Sequence, residues 1–157
     1  MRREVRLYNV IFPIWMLWTF PLAWLAVLPG NLLFDGLALF LSLTALGRAD
    51  RRTRMRSLLL PFWGCGFLAD FVGTAWMYLG LFLSELSGGW TPYLPLAHPA
   101  AFAWTLSAVA VSGVCIYFLD RAVLKGELDP LPQREQRIIA LSMAAVTAPW
   151  TFFCVLS

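Results

Sequence analysis

Five apolar runs, each long enough to cross a lipid bilayer, dominate this chain and restrict what it can fold into. The chain has 157 residues, of which 60% are hydrophobic, and its mean hydropathy is +0.71. A membrane-spanning helix needs about 20 mostly apolar residues, and lipid offers no water to irregular backbone. We therefore predict one all-α domain over residues 1–157, a bundle of five transmembrane helices at about 7–28, 31–47, 58–84, 100–119 and 138–156.

Turn-forming residues separate the first two predicted spans. Pro29, Gly30 and Asn31 lie between them, and this combination favours a tight turn. The sequence therefore predicts that spans 7–28 and 31–47 form an antiparallel hairpin.

Basic residues are confined to three segments of the chain. All 12 Lys and Arg residues lie before the first span, between the second and third, or between the fourth and fifth. With five spans these segments share one side of the membrane, and the positive-inside rule makes that side cytoplasmic. We predict a cytoplasmic N-terminus, a C-terminus outside and a location in a bacterial cytoplasmic membrane. Topology accounts for the basic segment 48–56, although anionic lipid or an acidic partner would also fit it; no nucleic-acid motif is present.

Small residues recur along the third predicted span. Gly66, Gly73 and Gly80 are spaced by seven residues, so they form one stripe on a helix, and Asp70 lies on the same stripe. Small residues let a neighbouring helix approach closely. We predict that this glycine face packs against protein rather than lipid.

Three acidic residues lie away from the basic segments. Asp35 is predicted about 6 Å below the outer end of its span and Asp70 about 18 Å deep, whereas Glu85 lies at the outer mouth. The other acids, including Asp120, lie among the cytoplasmic basic residues. A carboxylate in apolar surroundings without a countercharge must be protonated, hydrated, hydrogen-bonded or bound to a cation. These acids predict an outward-facing acidic cavity.

The leading functional hypothesis is that this cavity binds or moves a small cation or a proton-coupled solute. Asp70 is its main site and Asp35 its outer approach. Thr74, one turn from Asp70, supplies a neutral oxygen, while Glu85 and His98 form the mouth. The competing structural interpretation is that Asp70 is neutral and donates a hydrogen bond to a facing carbonyl, while Asp35 caps its helix. We predict no cofactor, metal site or catalytic residue, and a homo-oligomer or larger membrane partner, because five short helices form a thin wall around a pathway.

Two other functions fit the same residues. One is a non-catalytic membrane subunit or scaffold that docks a partner through the glycine face. The other is an intramembrane aspartyl peptidase, in which one carboxyl activates water and the second acts as the acid.

The peptidase hypothesis is based on a sequence resemblance. Residues 30–35, Gly-Asn-Leu-Leu-Phe-Asp, and residues 67–70, Phe-Leu-Ala-Asp, resemble the two aspartate motifs of bacterial lipoprotein signal peptidases. The first motif is one residue longer than in that family, Gly36 stands where the family has Arg, and Leu68 where it has Asn. Such chemistry also needs both acids at one depth, whereas the predicted depths differ by about 12 Å.

Overall fold

The computed structural model describes residues 21–87, 90, 92 and 94–153, and this part of the chain is helical and has no strands. Three stretches are long and apolar enough to cross a membrane, namely Leu28–Ala45, Arg51–Leu86 and Pro99–Lys125. The all-α prediction is confirmed, and these three helices support the membrane class. The helices are α1 (Pro21–Ala45), α2 (Arg51–Ser87), α3 (Pro99–Lys125) and α4 (Gln133–Thr147), followed by a 3₁₀ turn at Trp150–Phe153.

The predicted turn between the first two spans is wrong. α1 runs without a break through residues 29–31. Proline removes one backbone hydrogen bond from a helix, but a turn within an apolar segment would leave several backbone groups without partners. The chain instead reverses at 46–50. There Gly47 has a φ of +67° and the Arg48 N–H donates to the Leu43 carbonyl at 3.1 Å, which ends α1 in a Schellman-type cap.

The other helices differ from the predicted spans at their ends. The predicted first span, 7–28, lies outside the described residues as far as residue 20, and its remainder is the start of α1. α2 and α3 extend beyond 58–84 and 100–119, because polar residues continue each helix past its apolar run. α4 starts before residue 138 and ends at Thr147, since Pro149 has no N–H with which to continue it.

The four helices form an antiparallel ring. Consecutive helices pack against each other and α4 also packs against α1, so each helix has two principal neighbours. We call the end formed by the turn 46–50 and the segment 126–132 the connector end. The inward faces share one apolar core, which includes Leu39, Leu43, Leu58, Phe62, Ile116, Leu124, Ile139 and Met143.

A buried arginine holds the connector end together. Arg54, in the first turn of α2, is 6% exposed. Its guanidinium donates hydrogen bonds to the Asp50 carboxylate, to Glu127 Oε2 at 3.0 Å and to Asp129 Oδ2 at 2.9 Å. A further hydrogen bond reaches the Asp129 carbonyl at 3.0 Å. One side chain therefore ties the α1–α2 turn to the α3–α4 connection.

The stability that Asp50 contributes is expected to disappear only in acid. The hydrogen bond from Arg54 holds the pKa of the Asp50 carboxyl below its ordinary value of 3.8. A carboxyl with a lowered pKa in the folded state contributes stability that is fully present above its unfolded-state pKa and is lost as the pH falls through its folded-state pKa. The difference in thermal midpoint between wild type and Asp50→Asn should hold down to about pH 5 and shrink below about pH 4. A difference that vanishes already near pH 6 would contradict this.

Candidate functional site

The glycine face of α2 lies inside the bundle. Its three glycines each face a side chain of another helix, in the pairs Gly66–Asp35, Gly73–Ser112 and Gly80–Trp104. A methyl group on Gly73 would overlap the Ser112 hydroxyl, and one on Gly80 would overlap the Trp104 indole. The missing side chains therefore let α2 and α3 approach each other closely.

Asp35 lies in the middle of α1 rather than near its end. It follows Pro21, the first described residue of α1, by 14 residues, or about 21 Å along the helix. The helix start at residue 31, from which the depth of about 6 Å was counted, is wrong, because α1 continues through residues 29–31. The side chain is 6% exposed, and Oδ2 lies 3.6 Å from the position that a Cβ atom would have at Gly66. Asp35 therefore faces Gly66, which lies one turn before Asp70 on α2. Asp35 is also close enough to Asp70 for the charges of the two carboxyls to interact.

A third acid, Asp120, belongs to the same region. It lies on α3, is 0% exposed, and neither carboxylate oxygen has a hydrogen-bond partner among the described residues. It is within electrostatic range of Asp35. The prediction ended the span before Asp120 and grouped it with the basic residues that follow, whereas α3 continues to Lys125. The signal that would have found it is a buried row at four-residue intervals on α3: Ser112, Ile116, Asp120 and Leu124.

Asp35, Asp70 and Asp120 form what we call the acidic layer, with one carboxyl from each of three helices. Asp70 is partly buried and the other two are buried. Within the described ranges no ion pair reaches any of the three carboxylates. Nor do His, Cys, Asp and Glu side chains of these ranges converge in a group of three that could hold a metal ion. Carboxyls in such surroundings are chemically suited to hold protons or a small cation.

An apolar layer separates the acidic layer from the connector end. Leu39 and Leu124 lie one turn from Asp35 and Asp120 toward the connector end, and on α2 Phe62 lies one turn from Gly66, on the side away from Asp70. Three further side chains complete the layer: Leu43, Leu58 and Ile139. All six are at most 2% exposed. The ionic network around Arg54 therefore does not neutralise the acidic layer.

The remaining predicted ligand residues lie elsewhere or are otherwise engaged. The Thr74 hydroxyl donates to the Asp70 backbone carbonyl at 2.8 Å. Glu85 is exposed and follows Asp70 by 15 residues, about 22 Å along α2. His98 is exposed, and its Nδ1 accepts a hydrogen bond from the Ala100 N–H at 3.1 Å, which caps the start of α3. The structure brings neither Glu85 nor His98 to the acidic layer.

Tryptophans join α2 and α3 on the side of the acidic layer away from the connector end. The Trp76 and Trp104 rings stack with 5.3 Å between centroids and 9° between planes. Trp104 Nε1 donates to the Trp76 carbonyl at 3.1 Å, and Trp76 Nε1 donates to the Ser107 hydroxyl at 2.9 Å. The ring of Trp90 approaches that of Trp104 at 6.1 Å. These contacts hold α2 and α3 in a fixed position relative to each other on this side of the acidic layer.

Comparisons with models of known protein families, with curated proteins and with solved structures find no match. The function is therefore inferred from the acidic layer and its surroundings.

Proposed function

We propose that this chain is an integral membrane protein that binds a proton or another small cation at the acidic layer and moves it, or a solute coupled to it, across the membrane. The observation that carries the proposal is Asp120, which is fully buried in an apolar helix with both carboxylate oxygens unpartnered in the described part of the chain. Ionising such a group without a partner is costly, and acids inside membrane helices are rare outside functional sites. Asp35 and Asp70 add carboxyls from two other helices, so a change of charge at one acid acts on α1, α2 and α3 together.

The apolar layer supports access to the acids from one side only. Leu39, Phe62 and Leu124 lie between the acidic layer and the connector end, and each is at most 2% exposed. Asp70, on the other side of Gly66, keeps some exposed surface, whereas Asp35 is 6% and Asp120 0% exposed. We therefore propose that the ion enters past Asp70, and that release toward the connector end requires the apolar layer to open.

The orientation is part of the proposal. All nine Lys and Arg residues in the described part of the chain lie at or near the connector end: Arg48, Arg51, Arg52, Arg54, Arg56, Arg121, Lys125, Arg134 and Arg137. The positive-inside rule then makes the connector end cytoplasmic, so the acidic layer is reached from the outer side of a bacterial cytoplasmic membrane. A fifth span with a cytoplasmic N-terminus requires residues 1–20 to cross before α1, and these residues lie outside the described part.

Thermal unfolding of the detergent-purified protein across pH and across Na⁺, K⁺ and Ca²⁺ series tests the proposal. We expect one of these ligands to raise the apparent midpoint, because a ligand at 100 times its Kd stabilises the folded state by about 2.7 kcal/mol. Asp70→Asn and Asp120→Asn should each abolish the shift. A response to pH alone identifies the proton as the ligand.

Glu85→Gln is the matched control for this experiment. It also removes one carboxylate, from an exposed position on α2 far from the acidic layer, and should leave the response intact. A flat response of the wild-type protein, or an unchanged response in Asp120→Asn, would contradict the proposal.

A non-catalytic subunit or scaffold that docks through the glycine face is the first alternative. Gly73 and Gly80 contact side chains of α3 in this chain, so a partner on this face would have to displace α3. The scaffold hypothesis predicts that Asp70→Asn is silent in the thermal series. A homo-oligomer stays a prediction that a mass measurement in detergent tests directly.

An aspartyl peptidase is the second alternative, and one observation favours it. The depth difference between Asp35 and Asp70 that spoke against it was derived from the wrong helix start, and Asp35 lies beside Gly66, one turn from Asp70. The hypothesis is still weakened by two departures from the family motifs, Gly36 in place of Arg and Leu68 in place of Asn. A peptidase should lose cleavage of a membrane-anchored peptide in Asp35→Asn and Asp70→Asn, while Asp120→Asn retains it.

A further inference from the structure

Of the basic residues described at the connector end, Arg48 and Arg54 form ion pairs and the others do not. Arg54 binds the carboxylates of Asp50, Glu127 and Asp129, and a second arginine is paired within 4 Å with the remaining acid of this end: Arg48 with Glu135, at 3.1 Å. Arg52 and Arg56 take no part in this network and form no ion pair within the described residues. They are one helical turn apart on the outward face of α2, so both guanidiniums are available to an anion from outside the chain.

These two arginines line a cavity with two hydroxyl groups. The cavity has a volume of about 440 Å³ and is bordered by Arg52, Thr53, Arg56 and Ser57. Guanidinium groups bind phosphate oxygens with paired hydrogen bonds, and the Thr53 hydroxyl supplies a further donor, whereas the Ser57 hydroxyl donates to the Arg54 carbonyl at 3.2 Å. The chemistry of the cavity is therefore that of a phosphate or phosphodiester site.

An apolar row continues from the arginines toward the middle of α2. Leu60, Gly64 and Leu68 follow Arg52 and Arg56 at intervals of four residues, so the five form one row that winds gradually around the helix, by about 40° at each step. Leu60 is 62% exposed and Leu68 59% exposed. Between them Gly64 leaves a notch, because a Cβ atom built there would meet nothing within 4 Å. A ligand with an anionic head and a long, flexible apolar chain matches this winding row, with its head at the arginines and its chain along the leucines.

We propose that the cavity lined by Arg52, Thr53, Arg56 and Ser57 binds the head group of an anionic phospholipid, whose acyl chain lies along Leu60, Gly64 and Leu68. The charge pattern selects an anion, and the apolar row selects a lipid over a free phosphate or an acidic peptide. The site lies on the outer face of α2 and is independent of the acidic layer. A negative result at this site would therefore leave the proposed transport function untouched, and a negative result at the acidic layer would leave the lipid site untouched.

The experiment measures thermal unfolding in a neutral detergent with added phosphatidylglycerol, phosphatidylcholine or inorganic phosphate. Phosphatidylglycerol should raise the midpoint, whereas phosphatidylcholine and phosphate at equal concentration should not. Arg52→Gln with Arg56→Gln should weaken the apparent affinity for phosphatidylglycerol about thirtyfold, since each basic residue near an anionic lipid surface contributes about fivefold. The charge-conserving double variant Arg52→Lys with Arg56→Lys should have an affinity for phosphatidylglycerol between those of wild type and the Gln variant. Lysine keeps the charge but lacks the paired donors of arginine.

The matched control is Arg134→Gln with Arg137→Gln, which removes two exposed arginines from the same end of the bundle. This pair should keep the affinity for phosphatidylglycerol within about twofold, because it leaves both basic residues of the cavity in place. An equal loss in the control would reduce the effect to unspecific surface charge. Equal stabilisation by phosphatidylcholine, or by inorganic phosphate alone, would likewise overturn the lipid site. If the Gln double variant fails to fold, the proposal is still tested by the affinity of the Lys double variant and by the response of the wild-type protein to the three ligands.

Discussion

Gly80→Ala is expected to destabilise the bundle by about 2–3 kcal/mol, because overpacking a tight contact forces side chains or backbone to shift. The added methyl group would overlap the Trp104 indole. That indole has little freedom to move: it stacks on Trp76 at 5.3 Å, donates to the Trp76 carbonyl at 3.1 Å and has Trp90 beside it. Denaturant titration of the detergent-purified protein, followed by tryptophan fluorescence, measures the change in the free energy of unfolding.

Gly64→Ala provides the control on the same helix. A Cβ atom at Gly64 meets nothing within 4 Å, so the substitution should be neutral or stabilise α2 by up to about 1 kcal/mol through helix propensity. In a Trp104→Ala background, Gly80→Ala should lose its effect, because the obstructing ring is gone. If Gly64→Ala is as damaging as Gly80→Ala, or if the effect persists without Trp104, the close contact is not its cause.

Features that depend on local spacing could be predicted from the sequence. The all-helical class follows from the lengths of the apolar runs, and the shared stripe of Gly66, Asp70 and Gly73 follows from helical periodicity alone. Which helix packs on that stripe is a property of the whole bundle. The sequence therefore indicated that α2 carries a close-packing face, but not that Asp35 approaches it at Gly66.

The sequence-based predictions that depend on where a helix begins or ends were wrong. Residues 29–31 have the composition of a turn, yet within a long apolar segment the backbone keeps its helical hydrogen bonds. For this reason the depth of Asp35 was counted from residue 31, which lies inside α1. Asp120 was missed for a related reason. Its neighbours in sequence are charged, but its helical face is buried, and only the four-residue row with Ile116 and Leu124 reveals that.

The basic segment shows a similar limit. By composition residues 48–56 are a single cluster of arginines, for which the sequence predicts a role in membrane topology. In the structure α2 begins at Arg51, so the helix distributes these side chains over opposite faces. Arg54 is directed into the bundle and Arg52 out of it. The division depends on where α2 starts, and that is set by the turn that ends α1.

Arg54→Ala should destabilise the protein by about 3 kcal/mol, the low end of the range for breaking a buried ion pair. Arg54 is 6% exposed and is hydrogen-bonded to Asp50, Glu127 and Asp129. Its removal leaves these three carboxylates together, with Arg48, 3.8 Å from Asp50, as the countercharge that remains among the described residues. We expect the loss of stability to be at the low end of that range because the Asp129 side chain is 92% exposed, so water screens part of the repulsion between the carboxylates. Denaturant titration at low salt measures it.

Two comparisons identify the origin of this loss. Arg52→Ala removes the same charge from the exposed face of α2 and should change stability by no more than about 0.5 kcal/mol in the absence of anionic lipid. Arg54→Met combined with Asp50→Asn, Glu127→Gln and Asp129→Asn should recover most of the loss, because replacing a whole buried ionic group is far less damaging than removing one partner. If the combined variant is no more stable than Arg54→Ala, lost packing rather than uncompensated charge accounts for the effect. Recovery would establish Arg54 as the electrostatic link between the two connections of the bundle, which holds α3 and its Asp120 in register with α2.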